Sequence, residues 1–312
     1  MIMTFTKPAG LRRFAAPAIA MVVSLCAPAI ASAADFDGDG RTDRSVFRPS
    51  SAVWHIVLSR TGTDTQFPFG LGNDILVPGY YDDDQKTDAA VYRESNHTFY
   101  VLRSSDGELV SYELGIGGDK PVAGDFDGDG TTDYAVWRPS NGTWYVQRSS
   151  DGRRIVHQWG TAGDTPVPAD YDGDGETDLA VWRESTGTWH VVKSRYDRED
   201  HVEFGQGADI PVPADYDGDG SVDRAVWRPA NGTWYVQRRS DLTFTARQWG
   251  TAGDKQVPGD YDGDGVTDIG VWRPTDGIWY LLLSRNEYAP DYVHFGLNGD
   301  IPIFQSGLPH AP

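Results

Sequence analysis

The stretch DFDGDGTTDYAVWRPSNGTWY, Asp125 to Tyr145, holds the pattern on which the fold turns. Its first nine residues carry four aspartates and two glycines. A run rich in aromatic and β-branched residues follows at once, then Asn141-Gly142, then a second such run. Related text begins at Asp35, Tyr80, Asp125, Asp170, Asp215 and Asp260, each 45 residues after the last. Residues 125–169 and 215–259 agree at 30 of 45 positions, so this is a true internal repeat. A constant period of this size points to a propeller or a solenoid.

Each unit holds four short strand-like runs. In the third unit they are PVAGD (Pro121–Asp125), YAVWR (Tyr134–Arg138), TWYVQR (Thr143–Arg148) and IVHQW (Ile155–Trp159). Val, Trp, Tyr and Thr fill them, and turn residues bound them. Asn141-Gly142 predicts a two-residue hairpin, which pairs its flanking strands antiparallel. SSDG (Ser149–Gly152) separates the third run from the fourth. Nowhere is an apolar period of 3.6 sustained, which argues against helices. The expected fold is therefore all-β, a six-bladed β-propeller of 45-residue, four-stranded repeats. A calcium-binding parallel β-helix is the runner-up, but its nine-residue repeat does not suit a 45-residue unit with tight hairpins. The first acidic loop has no strand before it, while GDIPIFQ (Gly299–Gln305) matches GDTPVPA (Gly163–Ala169). The C-terminal strand is thus expected to complete the first blade. The expected division is a leader at 1–33, the propeller at 34–307 and a tail at 308–312.

The acidic loop reads D-[FY]-D-G-D-G-x-x-D. Glycines at positions 4 and 6 let the backbone turn while carboxylates converge. Hard oxygen donors at this spacing suit calcium, with the carbonyl at position 7 completing the shell. The candidate ligands are Asp35, Asp37, Asp39, Arg41 and Asp43 in the first unit, and Asp125, Asp127, Asp129, Thr131 and Asp133 in the third. In the fourth they are Asp170, Asp172, Asp174, Glu176 and Asp178, and in the fifth Asp215, Asp217, Asp219, Ser221 and Asp223. Asp260, Asp262, Asp264, Val266 and Asp268 complete the set in the sixth. Position 7 varies freely, as expected if only its backbone coordinates. The second unit reads YYDDDQKTD, with Tyr80 for the first aspartate and Asp83 and Gln85 for the glycines. Asp82, Asp84 and Asp88 remain, and a weak or empty site is expected there. About five Ca²⁺ ions per chain follow. An EF-hand would need a bidentate Glu at position 12, but Val46, Val91, Val136, Val181, Val226 and Val271 stand there. A single Asp-Gly turn would need no metal; five copies with all four aspartates argue for one. Five equivalent sites also suit a structural ion better than one catalytic centre.

The chain has 27 basic and 46 acidic residues, a net charge of −19, and one cysteine. Its first 34 residues hold Lys7, Arg12 and Arg13, an apolar run broken by Pro17 and Pro28, and no acid; Ala31-Ser32-Ala33 resembles a signal-peptidase site. A secretory signal peptide is expected, cleaved near Ala33, with the mature protein secreted or at the cell surface. A membrane anchor, a lipoprotein signal at Val23–Cys26 and twin-arginine export at Arg12-Arg13 fit less well. Without the leader the net charge becomes −22 and Cys26 is lost, so disulfides contribute nothing. Such acidity argues against nucleic acid and anionic membrane as partners.

The loops, together with Phe69-Gly70, Phe204-Gly205 and Phe295-Gly296 and the Gly-Asp-x-Pro element at Gly163, Asp164 and Pro166, resemble the FG-GAP/VCBS-repeat family. Leu114-Gly115, Trp159-Gly160 and Trp249-Gly250 are variants of the first element. The family includes the integrin α-subunit propeller, which has seven blades where six are counted here. The resemblance implies a calcium-binding scaffold whose relatives bind proteins or glycans, and some are appended to enzymes.

Three further side-chain series repeat. Aromatics recur in the second run (Phe47, Tyr92, Trp137, Trp182, Trp227, Trp272) and in the third (Trp54, Phe99, Trp144, Trp189, Trp234, Trp279). They are expected to pack between blades, with sugar stacking as the sharper alternative. Arg48, Arg93, Arg138, Arg183, Arg228 and Arg273 recur with Asp74, Asp119, Asp164, Asp209, Asp254 and Asp300. Ion pairs between strands are expected, or else a carboxylate-binding site. The histidines show no metal-ligand spacing, and no catalytic constellation is visible, so an enzyme is not expected. Asn96, Asn141 and Asn231 stand in glycosylation-like triplets that a hairpin explains as well. The expected function is a secreted, monomeric, calcium-stabilised module binding an extracellular glycan or protein, with the ligand residues unassigned. A surface-assembly protein and a polysaccharide lyase or hydrolase are the alternatives. Tyr80, Tyr81, Asp83 and Gln85 break the repeat most and are the first place to look for a special site.

Overall fold

The computed structural model describes residues 34–195 and 198–304, so the expected leader and tail lie outside the described residues. Six four-stranded antiparallel sheets make a six-bladed β-propeller. In the third blade the strands are Lys120–Gly124, Asp133–Arg138, Thr143–Gln147 and Arg154–Gln158, hydrogen-bonded in that order. The two central strands are largely buried, while the fourth alternates exposed and half-buried residues. The first strand is two residues long in the other blades, as at Thr165–Pro166. Pro78, Pro168, Pro213 and Pro258 follow those short strands and cannot donate to a ladder. Ala123 stands at that place in the third blade and pairs with Tyr134, so the strand runs on.

The hairpin differs from the expected two-residue turn. Thr143 pairs with Arg138, which leaves a four-residue loop, Pro139 to Gly142. Gly142 alone in it has a left-handed backbone, with φ +64°. Its amide donates to Arg138 O at 2.9 Å. Glu94 and Glu184 stand where Pro139 does, and their loops are equally long, so strand register and not the proline sets the length. A Cβ on Gly142 would also come 2.0 Å from Gly160 O, so a larger residue there would force the backbone to shift.

The ring closes as expected. Ile301–Pro302 pairs with Arg44–Arg48 in the first blade, with Phe47 opposite Ile301 and Val46 opposite Pro302. The core lies in layers between blades. Val136 of the third blade packs with Tyr92, Phe99 and Val101 of the second. Val46 of the first packs with Tyr261, Trp272 and Trp279 of the sixth. Cross-strand pairs such as Trp137 and Trp144 are fully buried. Replacing one by alanine would cost about 3–5 kcal/mol.

Candidate metal centres

The acidic loops join the first strand of each blade to the second, and they are tied to one another. The amide at loop position 8 donates to the carbonyl at position 1 of the preceding loop: Thr87 to Asp35, Thr132 to Tyr80, Thr177 to Asp125, Val222 to Asp170, and Thr267 to Asp215. Thr42 donates to Asp260 at 2.7 Å and closes the circle. Side chains at position 7 lie over the preceding loop. A Cβ on Gly128 would come 2.8 Å from Glu176 Cγ, and Arg41 donates to Tyr261 O at 2.9 Å. The loops therefore form one connected ring.

Within a loop the aspartates divide the work. In the third blade, Asp125 accepts amides of Gly128 at 2.7 Å and Gly130 at 2.8 Å, which shapes the turn. Asp133 accepts the amides of Phe126 at 2.9 Å and Ser149 at 2.7 Å, which fastens the loop to the hairpin. Asp129 accepts the Ser149 hydroxyl at 3.0 Å. Asp127 has one oxygen held by Arg148 and Ser150, while its Oδ1 is buried without a partner. Orphaned oxygens recur at this third position in every intact loop: on Asp37, Asp127, Asp172 (both oxygens), Asp217 and Asp262. A buried acceptor without a donor is costly, and a cation removes the cost.

Carboxylate oxygens converge within 4.8 Å in five groups. These are Asp35, Asp37 and Asp39; Asp125, Asp127 and Asp133; Asp170, Asp172 and Asp178; Asp215, Asp217 and Asp223; and Asp260, Asp262 and Asp268. Asp43, Asp129, Asp174, Asp219 and Asp264, also expected as ligands, fall outside these groups. Among the described residues no such group forms at Asp82, Asp84 and Asp88. Burial pushes the carboxyls of Asp43 and Asp133 up to about 6, and those of Asp178, Asp223 and Asp268 up to about 7. Burial also raises Asp35, Asp125, Asp170 and Asp215. An all-oxygen donor set, crowded and desolvated, fits a hard divalent cation. Bound there, the ion would neutralise the crowded charge.

The sequence reading missed one contributor. Ser59, Ser104, Ser149, Ser194 and Ser284, each 16 residues after a ninth-position aspartate, donate their amides to it at 2.6–2.7 Å. Arg239 does the same in the fifth blade. The fixed spacing was visible; its meaning was not, because strand register decides it.

The other series resolve against direct ligand contact. All twelve repeated aromatics are buried, so they are not sugar platforms. Except for Trp182, whose Nε1 is buried without a partner, their indoles donate inward, as when Trp137 and Trp144 both reach Trp159 O, at 3.1 and 3.0 Å. Each repeated arginine makes a two-pronged ion pair with the aspartate preceding its own blade, such as Arg138 with Asp119, both bonds 2.8 Å. Arg48 pairs with Asp300 in the same way, across the ring closure. Guanidinium groups also lie over tyrosines, for example Arg138 over Tyr145 at 4.3 Å.

Residues 125–181 match the FG-GAP-like repeat model. A comparison with curated proteins finds no match. Similar solved structures include virginiamycin B lyase from Staphylococcus aureus, an inactive variant with quinupristin. It shows 10% identity over 86% of this chain and 89% of that one, with a TM-score of 0.51. An Agrocybe aegerita lectin that recognises non-reducing terminal N-acetylglucosamine shows 12% identity over 86% and 91%, with a TM-score of 0.50. A functionally unknown protein from Desulfotomaculum acetoxidans shows 11% over 80% and 78%, also at 0.50. At these identities the likeness is one of fold. Residues 125–181 thus carry an FG-GAP-like repeat, within a six-bladed β-propeller closed by the C-terminal strand.

Proposed function

We propose that this protein is a secreted, calcium-stabilised propeller that binds an extracellular glycan or protein. The observation that carries the calcium part is the orphaned oxygen on the third-position aspartate, found in all five intact loops. Extracellular calcium modules bind at about 10⁻⁴–10⁻³ M, a range matched to calcium outside cells. The secretory-type leader agrees with that location. For recognition, the accessible aromatics lie on outer strands. Phe244 is 58% exposed and stacks on Tyr235, and Tyr292 is 57% exposed and stacks on Trp249. Such half-supported rings suit contact with a sugar face or an apolar side chain. A glycan array probed in Ca²⁺ and again in EDTA tests the glycan arm. Binding should appear with calcium, weaken without it, and fall in a Phe244→Ser/Tyr292→Ser variant. Silence across the array in calcium would remove the glycan arm. Breakdown of a polysaccharide by the pure protein would favour an enzyme.

A further inference from the structure

We infer that His190 and His201 form a second kind of metal site, one for a borderline transition-metal ion such as Zn²⁺, on the outer strands of the fourth blade. His190 lies in Thr188–Lys193 and His201 in Arg198–Glu203, and the two stand directly opposite each other. Their Nδ1 atoms are 2.8 Å apart. The corresponding pairs in the other blades are His55 with Gln66, Tyr100 with Ser111, Tyr145 with Val156, Tyr235 with Ala246, and Tyr280 with Tyr292. Two imidazoles meet at this place only in the fourth blade, so the fold does not require them.

The surroundings hold the pair ready. Trp159 of the third blade stacks on His201 with centroids 5.7 Å apart, and its indole donates to His190 O at 3.0 Å. Glu199 Oε2 lies 3.5 Å from His201 Nε2. That carboxylate favours the proton on Nε2, which leaves the Nδ1 lone pair free to bind. Glu203 shares the strand face with Glu199 and His201, since alternate residues point the same way. Burial, then the Arg183 charge and His201, lower the His190 pKa, so its ring is neutral near pH 7. Arg183 is itself paired with Asp164 at 2.8 Å. His190 Nε2 is buried without a partner, so its hydrogen bonding rests on Nδ1.

Zinc–imidazole bonds of about 2.0–2.1 Å at angles near 90–110° place two nitrogens about 3.0–3.4 Å apart. The pair needs to open by only a few tenths of an ångström, and the His201 side chain is 49% exposed and can move. Coordination through both Nδ1 atoms moves the His190 proton to its Nε2, and no redox change is involved. Water molecules complete the shell. Imidazole nitrogen suits zinc, nickel and copper and not calcium, so this site is chemically distinct from the acidic loops.

The test uses the full chain saturated with Ca²⁺ and titrated with Zn²⁺ by calorimetry, with histidine side-chain NMR as the second readout. The wild type should take up one zinc ion that shifts the His190 and His201 resonances. His190→Tyr/His201→Val installs the third blade's own residues, so folding and the calcium response should persist. Zinc binding should weaken at least about tenfold. Equal zinc uptake by wild type and variant, or unmoved histidine resonances at saturating zinc, would reduce the pair to a plain hydrogen bond. If the double variant folds poorly, His201→Val alone and the wild-type NMR still decide. The outcome does not depend on whether the acidic loops bind calcium.

Discussion

The loop at 125–133 and the loop at 80–88 have the same length, occupy the same place in adjacent blades and share the same ring of hydrogen bonds. They differ in what their aspartates lack. In 125–133, Asp127 keeps a buried oxygen with no partner. In 80–88 both oxygens of the equivalent Asp82 are taken, by the amide of Asp84 and by Ser105. Asp84 accepts the Lys86 amide and the Ser104 hydroxyl, and Asp88 accepts the amides of Tyr81 and Ser104. Gln85, with φ +60°, makes the left-handed turn that Gly130 makes in the third blade at φ +90°. Tyr80 cannot supply the first carboxylate. The hydrogen bonds that tie the loop to its neighbours therefore survive without convergence of charge. The intact loops are built around something more than the turn itself.

The largest test of this contrast is metal removal. A site at 100-fold saturation adds about 2.7 kcal/mol, and five sites act together. Stripping calcium with EDTA should lower Tm by more than about 10 °C, restored by Ca²⁺ and poorly by Mg²⁺. An unchanged Tm after verified removal would make the two loops equivalent.

A single-loop version is sharper. Asp172 has both oxygens unpartnered, so Asp172→Ala should cost roughly 2–3 kcal/mol in saturating calcium and one bound ion. In EDTA the same change should cost almost nothing. Asp82→Ala should leave the ion count untouched and lose only local hydrogen bonds, at about 1 kcal/mol. Equal ion loss from both variants, measured by metal analysis, would dissolve the distinction.

Acidity separates the same states. Burial holds Asp43, Asp88 and Asp133 near 6 and Asp178, Asp223 and Asp268 near 7, above the ordinary carboxyl value. A raised folded-state pKa means the folded protein binds more protons than the unfolded chain. That contribution is present in full below about pH 4 and is lost as pH rises through 6–7. Metal-free protein should therefore lose stability between pH 5 and 8, read from urea midpoints. Calcium-loaded protein should gain over that window, because calcium binding requires the ionised carboxylates. Parallel profiles with and without calcium would count against metal at these aspartates.

The smallest effect is local. Gln85→Gly relieves a left-handed backbone at the cost of a more flexible unfolded chain, so a gain below about 1 kcal/mol is expected. It should not create a sixth site, because the first carboxylate is still missing.

Much of the architecture is legible in contiguous residues. The 45-residue period, the antiparallel strands, the acidic loops and the defect at Tyr80 all follow from short patterns whose physics is local. The six blades and the C-terminal closure followed from counting those patterns. The hairpin length was misjudged because Asn141-Gly142 reads as a complete turn, whereas register and the approach of Gly160 O make it the end of a longer one. Burial of the repeated tryptophans, the pairing of Asp119 with Arg138 in the following repeat, and the serines behind the loops were decided by tertiary structure. So was the meeting of His190 with His201, which are 11 residues apart at a spacing that suggests nothing. Backbone turns and strand periodicity are set by neighbours in the chain. Which side chains face each other is set by register within a blade and by packing between blades, and those energies are shared among residues far apart in sequence.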